Sequence, residues 1–386
     1  SLKQGTDTRS QGWVSDPRET VPVPPVYRLV VRSAFHKMDP MRKPHVARKP
    51  RSGNRRAFFR SLEPSAPPEN LRLIGLNRPA MGSVFEIYIR SDHRRFAEAA
   101  NHALDEVRRL ENLMTVFTED SEIAALNRWA FTRPVPVSPE IAEVLELGID
   151  LSRQTGGAFD LTSGILSKIW GFQCRNPMVP PEDQLREALK RVGFDRIYLN
   201  QSDRTVAFTR PVELNLGSIG KGFALDRAAR VLQNEGLGSV LMHAGFSSFK
   251  AIGDSGPSGE GWKVGIRHPV DRECEWLTLR LRNRSMATSG CEEQYFEIEG
   301  RRYGHILDPR SGKPADHHLS ATALAPSAAV ADALSTAFFV MSTEEVKQYC
   351  EDHPDVGAIL AWRSEDGKEI RTVRCGIAEE SENCIQ

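Results

Sequence analysis

Between Ser83 and Arg90 the chain reads SVFEIYIR, with Phe85, Ile87 and Ile89 alternating against Val84, Glu86, Tyr88 and Arg90. A period of two is that of a strand. Over 94–114 the period lengthens, because Ala99, Ala103, Val107 and Leu110 recur at helical spacing. The pattern predicts a second helix over 139–154, with Ser138 as its N-cap, and a third over 181–192. Strands are predicted over 197–199 and 205–208. The run IGKGFALDRAARVLQNEG then places Phe223, Leu225, Ala228, Ala229 and Leu232 on one helical face, closed by Gly236. Strands follow over 239–243 and 262–267, EWLTLRLRN alternates like a half-buried strand, and EQYFEIEGRRYGHILD reads as a hairpin turning at 299–300. Helix returns over 329–341 and 343–352. Helices and strands mix without regular alternation, so the expected class is α+β, with mixed, largely antiparallel sheets and packed helices, rather than a doubly wound sheet.

Residues 1–70 lack this periodicity. They are rich in Pro, Arg and Ser and read as a basic, disordered tail. A folded domain is expected over 71–365 and a C-terminal tail over 366–386. Charge follows the same division. Residues 28–60 carry eleven Lys or Arg against the single acid Asp39, whereas residues 61–386 carry 37 basic and 47 acidic side chains. A mildly acidic folded part argues against nucleic acid as a partner. No apolar run is long enough to span a membrane. The segment NRRAFFR at 54–60 faintly resembles a twin-arginine export motif, but no apolar stretch follows it. The six cysteines form no CxxC pair and are read as mostly free thiols.

Three constellations carry candidate chemistry. The first is NLGSIGKGFALD at 215–226. A P-loop would need Gly at 215 and Ser or Thr after the lysine, where this chain has Asn215 and Gly222. The spacing of Gly217, Gly220 and Gly222 also fails the dinucleotide pattern. What remains is a glycine-rich turn at a helix start beside Lys221. There, backbone can approach an anion and free N–H groups can meet it. A tight turn packing a helix on a strand explains the same residues without a ligand. The second is YGHILDPRSGKPA at 303–315, where His305 can serve as a base and Arg310 as a phosphate fork. The plain alternative is a hairpin exit with a solvated arginine. The third is VADALSTAFFVM at 330–341. Asp332 and Thr336 stand four apart inside an apolar helix and project from one face. A hard cation would satisfy both oxygens. Alternatively, Asp332 caps the helix and Thr336 bonds its own backbone.

Together these pieces resemble the FAD:protein FMN transferases, the ApbE or flavin transferase family, over about 78–346. The markers, in the family's order, are MGS at 81–83, MTVFTEDSEIAALN at 114–127 and GGAFDLTSGILSKIWGF at 156–172. They continue with LNLGSIGKGFALD, HAGFSSFKAIG at 243–253, ATSG at 287–290, GHILDPRSGKP and ADALSTAFFV. The resemblance implies an ApbE-like two-lobed fold with FAD bound in the cleft. It implies Mg2+-dependent transfer of the FMN half of FAD to a Ser or Thr hydroxyl of an acceptor flavoprotein, with release of AMP. By resemblance Asp332, Thr336 and the Gly220 carbonyl hold the metal, and His305 deprotonates the acceptor. Met81, Phe117, Asn215, Lys221, Ala244, Gly245, Thr288 and Arg310 form the FAD site, with Phe117 where the family usually has a tyrosine.

Three departures stand out. Asn215 replaces a common Asp, Phe246 replaces a second Gly, and Gly220 replaces a common Ala. The same residues would serve a Mg2+-dependent FAD pyrophosphatase, and Asn215 with Phe246 fit a flavin binder without turnover. Many relatives work in the cell envelope, so the resemblance implies that compartment, although no lipid-anchor cysteine is visible near the N-terminus.

Overall fold

A computed structural model describes residues 73–377, apart from 174–176, 257–258, 272–273, 292–293 and 299. The expected 1–70 tail, the 54–60 segment, Cys174 and Cys384 lie outside the described residues. Its centre is an eight-stranded sheet. Across the sheet the strands run Leu73–Ala80, Ser83–Arg90, Val240–Ala244, Ser248–Ile252, Arg284–Gly290, Ser320–Ala325, Gly357–Arg363 and Ile370–Cys375. Every neighbouring pair is antiparallel. Spatial order equals chain order, so the sheet is one meander, and its longest insertions carry the helices.

Both faces of the sheet are covered. Val240, Met242 and Ala244 belong to the main core with the helices, whereas Leu241, Phe249, Ala251, Met286 and Ile359 pack on the other face against Trp262, Val264, Leu277 and Leu279. The last four lie on the hairpin Trp262–Arg267 with Glu275–Leu281. A buried helix, Ala328–Val340, lies on the central strands, and the glycine–lysine helix, Gly220–Asn234, packs between it and Ala97–Met114. The contact is close. A Cβ on Gly222 would fall 2.1 Å from the Ala328 carbonyl oxygen, so only glycine fits there.

Most predicted elements appear, including helix Pro139–Gln154, whose Ser138 side chain accepts the Ile141 N–H. The α+β class holds. Several boundaries differ, among them helix 181–192, observed over Glu182–Leu189, and helix 94–114, observed over Ala97–Met114. The glycine–lysine helix starts at Gly220, three residues before Phe223, because its first turn is held by packing rather than by propensity. Strand Ile370–Cys375 pairs with Gly357–Arg363, so the sheet runs past the expected limit of the folded domain at 365. Among the described residues, no helix is long and apolar enough to cross a membrane. Among the described residues, Cys350 and Cys375 are free thiols.

Candidate active site

Two adjoining cavities lie at the N-terminal end of the glycine–lysine helix. The larger, ≈360 Å³, is lined by Lys221, Thr288, Ser289, His305, Asp332 and Thr336 among others. The smaller, ≈180 Å³, is lined by Met81, Glu111, Met114 and Gly220 among others. Val116, Phe117, Asn215, Gly217 and Lys221 border both, so the two form one cleft. Residues from six separate stretches of the chain therefore meet at one place.

Asp332 is 5% exposed. It does not cap its own helix, because Ser327 does that by accepting the Val330 N–H. One carboxylate oxygen instead accepts the Gly222 N–H at 3.0 Å, in the first turn of the glycine–lysine helix. The other accepts the Ser248 hydroxyl at 2.8 Å and lies 3.7 Å from Lys221 Nζ. A buried carboxylate is thus stabilised by a helix N-terminus, a hydroxyl and an ammonium. Thr336, one turn on, contacts Ser289 Oγ at 3.4 Å. Among the described residues no three His, Cys, Asp or Glu side chains cluster as metal ligands. The donor set here is one carboxylate, one hydroxyl and nearby backbone carbonyl, which suits a hard cation. Gly220 lines the smaller of the two adjoining cavities, and Asp332 and Thr336 line the larger.

His305 ends the Arg301–Gly304 strand and lies opposite Gln294. Its N–H donates to the Gln294 carbonyl at 3.0 Å, and Nδ1 lies 3.0 Å from the same oxygen. A carbonyl only accepts, so Nδ1 carries the proton and Nε2 is the basic nitrogen. The turn after His305 is tied down. Asp308 exchanges main-chain bonds with Gly312 and Lys313, and the Trp170 indole donates to the Gly312 carbonyl at 2.8 Å.

The glycine-bounded loop at 155–164 works in the same way. Burial pushes the Asp160 carboxyl up, against bonds from the Thr162 hydroxyl, the Thr162 N–H and the Phe194 N–H that pull it down. Its oxygens stitch the loop at 2.7–3.0 Å and present Ser163 and Ser167 to the cleft.

The FAD-site expectations divide. Met81 borders the smaller cavity with a left-handed backbone (φ 52), held by its N–H donating to Glu111 at 2.6 Å. Phe117 is 76% exposed at the mouth of both cavities. The Asn215 side-chain oxygen accepts the Gly217 N–H at 2.8 Å, a turn bond that an aspartate would make equally well. Thr288 borders the larger cavity and its hydroxyl pairs with Thr322 at 2.8 Å.

Ala244, Gly245 and Arg310 border neither cavity. Ala244 is buried in its strand. Gly245, at φ 58, makes room for the Ser83 hydroxyl, which lies 2.1 Å from where a Cβ would stand. Arg310, expected as a phosphate fork, is engaged by carboxylates. Its guanidinium grips Asp308 at 3.0 and 3.3 Å and reaches Glu345 at 3.5 Å. The carboxylate two residues away satisfies it first. Phe246 also turns away from the cleft, stacking on His243 at 4.6 Å beneath Arg267. Glu111, Ser248, Ser289 and Gln294 were not singled out in the sequence. Each acts through a partner at least 11 residues away, and no local pattern marks such a pair.

An antiparallel α+β scaffold that gathers a glycine–lysine helix start, a buried carboxylate and a histidine in one cleft fits a nucleotide-handling, group-transfer class of protein. The comparisons narrow the class. The ApbE family model matches residues 81–360, and the chain belongs to that family. A FAD:protein FMN transferase of Klebsiella pneumoniae is 33% identical over 62% of this chain and 69% of its own. One from Haemophilus influenzae is 31% identical over 81% of this chain and 92% of its own. Among solved structures, the ApbE protein of Thermotoga maritima superposes with TM-score 0.70 at 29% identity, covering 78% of this chain and 96% of that one. The apo flavinyl transferase ApbE of Pseudomonas stutzeri gives 0.68 at 27% identity, covering 79% and 95%.

Proposed function

We propose that this chain is an FAD:protein FMN transferase, using FAD as the substrate and a flavoprotein hydroxyl as the acceptor. The observation that carries the reading is the single cleft in which Lys221, His305, Asp332 and Thr336 converge. Its chemistry matches what the reaction requires. The acceptor hydroxyl attacks the FMN phosphorus, a new P–O ester bond forms, the anhydride P–O bond breaks, and AMP leaves. Lys221 and the N–H groups of the glycine–lysine helix face the pyrophosphate and neutralise its charge. Nε2 of His305 takes the acceptor's proton as its oxygen bonds to phosphorus, while Nδ1–H stays on the Gln294 carbonyl and holds the ring. Phe117 supplies an exposed aromatic face for the isoalloxazine ring. Asp332 and Thr336 are the residues of this chain that would hold Mg2+, with the Gly220 carbonyl. When bound, Mg2+ supplies charge neutralisation at the bridging oxygens.

The test is incubation of the protein with FAD, Mg2+ and a candidate acceptor flavoprotein, read by intact mass. An FMN-sized gain on the acceptor is expected. Free FMN and AMP with no gain would make the protein a pyrophosphatase, and no product at all would make it a flavin binder.

A further inference from the structure

Beside the proposed cation ligands, a row of hydroxyls has only one consistent arrangement of protons. Ser335 Oγ lies 2.9 Å from the Asp332 main-chain carbonyl. A carbonyl cannot donate, so the one Ser335 hydroxyl proton lies on that bond. Ser289 Oγ lies 2.9 Å from Ser335 Oγ. The Ser335 proton is already engaged, so Ser289 donates and Ser335 accepts. Ser289 Oγ also lies 3.4 Å from Thr336 Oγ1. Ser289 has no second proton, so Thr336 donates to it. The protons therefore run one way, from Thr336 through Ser289 and Ser335 to the Asp332 carbonyl. Ser335 is 1% exposed, so water does not offer it another partner.

The direction matters at the far end. Thr336 borders the cavity, and its proton points back toward Ser289. Its oxygen lone pairs are left for the cavity side. A hydroxyl that binds a cation must present an oxygen and keep its proton away. A chain running in the opposite direction would place the Ser289 proton on a Thr336 lone pair.

We propose that Ser289 and Ser335 are positioning residues that orient the Thr336 hydroxyl as an acceptor toward a divalent cation. The inference rests on the reading of Asp332 and Thr336 as its ligands. Ser335 does not border the cavity, and Ser289, which does, is assigned its role through Thr336. Removing the Ser335 hydroxyl frees the Ser289 proton to turn onto Thr336. Removing the Ser289 hydroxyl leaves the Thr336 proton without its acceptor. Partners behind a metal ligand typically change affinity by roughly 10–100-fold, and a loss in that range is expected for each.

The experiment is a Mn2+ titration of the full chain followed by the loss of the sharp solution EPR signal, which reads affinity without turnover. Wild type, Ser335→Ala, Ser289→Ala, Ser289→Thr and Asp332→Ala are compared, with circular dichroism to check the fold. Both alanine variants should bind Mn2+ about 10–100-fold more weakly, and Ser289→Thr, which keeps the hydroxyl, should stay near wild type. If Asp332→Ala loses Mn2+ while both serine variants keep wild-type affinity, the hydroxyl chain has no such role. If Ser289→Thr is as weak as Ser289→Ala, packing rather than the hydroxyl is responsible and the proposal fails. If wild type itself does not bind Mn2+, the cation site and this inference fall together. Should one alanine variant not fold, the other still decides.

Discussion

Asp226 and Asp332 each cap the helix that carries the other. Asp226, on the glycine–lysine helix, accepts the Ala328 N–H at 3.0 Å, the Ala329 N–H at 2.9 Å and the Ser327 hydroxyl at 2.7 Å. Lys250 balances its charge at 2.9 Å. Asp332, on the buried helix, returns the bond to Gly222. The crossing of the two helices is fixed at both ends by carboxylates, and the proposed cation ligand is built into that fixture.

A double role for Asp332 predicts that two substitutions separate. Asp332→Ala should abolish transfer and also lower stability by about 1–2 kcal/mol, because the Gly222 N–H and the Ser248 hydroxyl lose their acceptor. Asp332→Asn keeps an oxygen for Gly222 and should abolish transfer with stability near wild type. Urea unfolding and turnover on the same preparations check both. Near-normal Mg2+-dependent turnover in either variant would remove Asp332 from the metal site.

Gly222→Ala tests the crossing itself. The added methyl meets the Ala328 carbonyl oxygen at 2.1 Å, and neither helix backbone can yield cheaply. A loss of about 3 kcal/mol is expected, at the upper end for overpacking. It should appear as a lower urea midpoint with an unchanged slope. An unchanged midpoint would mean that the helices can separate at no cost.

Lys221→Ala should weaken FAD binding by roughly 1.5–3 kcal/mol, the range for one charge-assisted contact. Titration calorimetry reads it directly. If affinity is unchanged, the lysine serves Asp332 alone.

His305→Ala should slow transfer by roughly 10²–10⁴-fold, the range for a positioned base, and leave FAD affinity intact. FAD itself needs no base in order to bind. Fluorescence quenching gives the affinity and intact mass of the acceptor gives the rate. Affinity that collapses together with rate would make His305 a wall of the pocket.

Two buried histidines far from this chemistry predict an acid-sensitive fold. Burial holds the His243 imidazole down to about 4, and His318 likewise, from an ordinary 6.5. Among the described residues neither ring nitrogen of His243 has a hydrogen-bond partner, and Glu86 lies 4.0 Å from its Nε2. Between pH 6.5 and 4 the unfolded chain therefore binds more protons than the folded one. Stability is full above pH 6.5 and falls as pH drops toward 4. Each group contributes a slope of up to ~1.4 kcal/mol per pH unit. His243→Phe should flatten that fall by about one proton. Urea unfolding at pH 7.0, 5.5 and 4.5 measures it, and an unchanged slope would show that His243 already ionises in the fold.

The parts of this molecule legible in sequence are those set by local signals. Ser138 before its helix and Gly236 at φ 85 after the glycine–lysine helix act within a few residues. Strands Ser248–Ile252 and Ser320–Ala325 gave no such signal. The sheet is covered on both faces there, so their residues are almost all buried and no period of two survives. Strand Leu73–Ala80 was hidden by Gly75, Asn77 and Pro79, residues depleted in strands, although its pairing with Ser83–Arg90 is regular. At the site, Asp332, Thr336, His305 and Lys221 were visible as polar groups in apolar or glycine-rich surroundings. Their supports were not. Ser248 meets Asp332 across 84 residues, and Ser289 meets Ser335 across 46. The partner of Arg310, by contrast, is local: Asp308 sits beside it in the motif.

The meander order of the central sheet also governs how the chain emerges during synthesis. The hairpin Leu73–Ala80 with Ser83–Arg90 forms early, but the next strand in the sheet begins at Val240, roughly 150 residues later. At typical elongation rates of about 5–20 residues per second, that is roughly 8–30 s. Throughout that interval the Ser83–Arg90 strand presents an unpaired edge, with Phe85, Ile87 and Ile89 awaiting their cover. The helices that later shape the cleft are made within this window. The nascent chain is therefore most exposed to mispairing while the insertion that shapes the cleft is being translated.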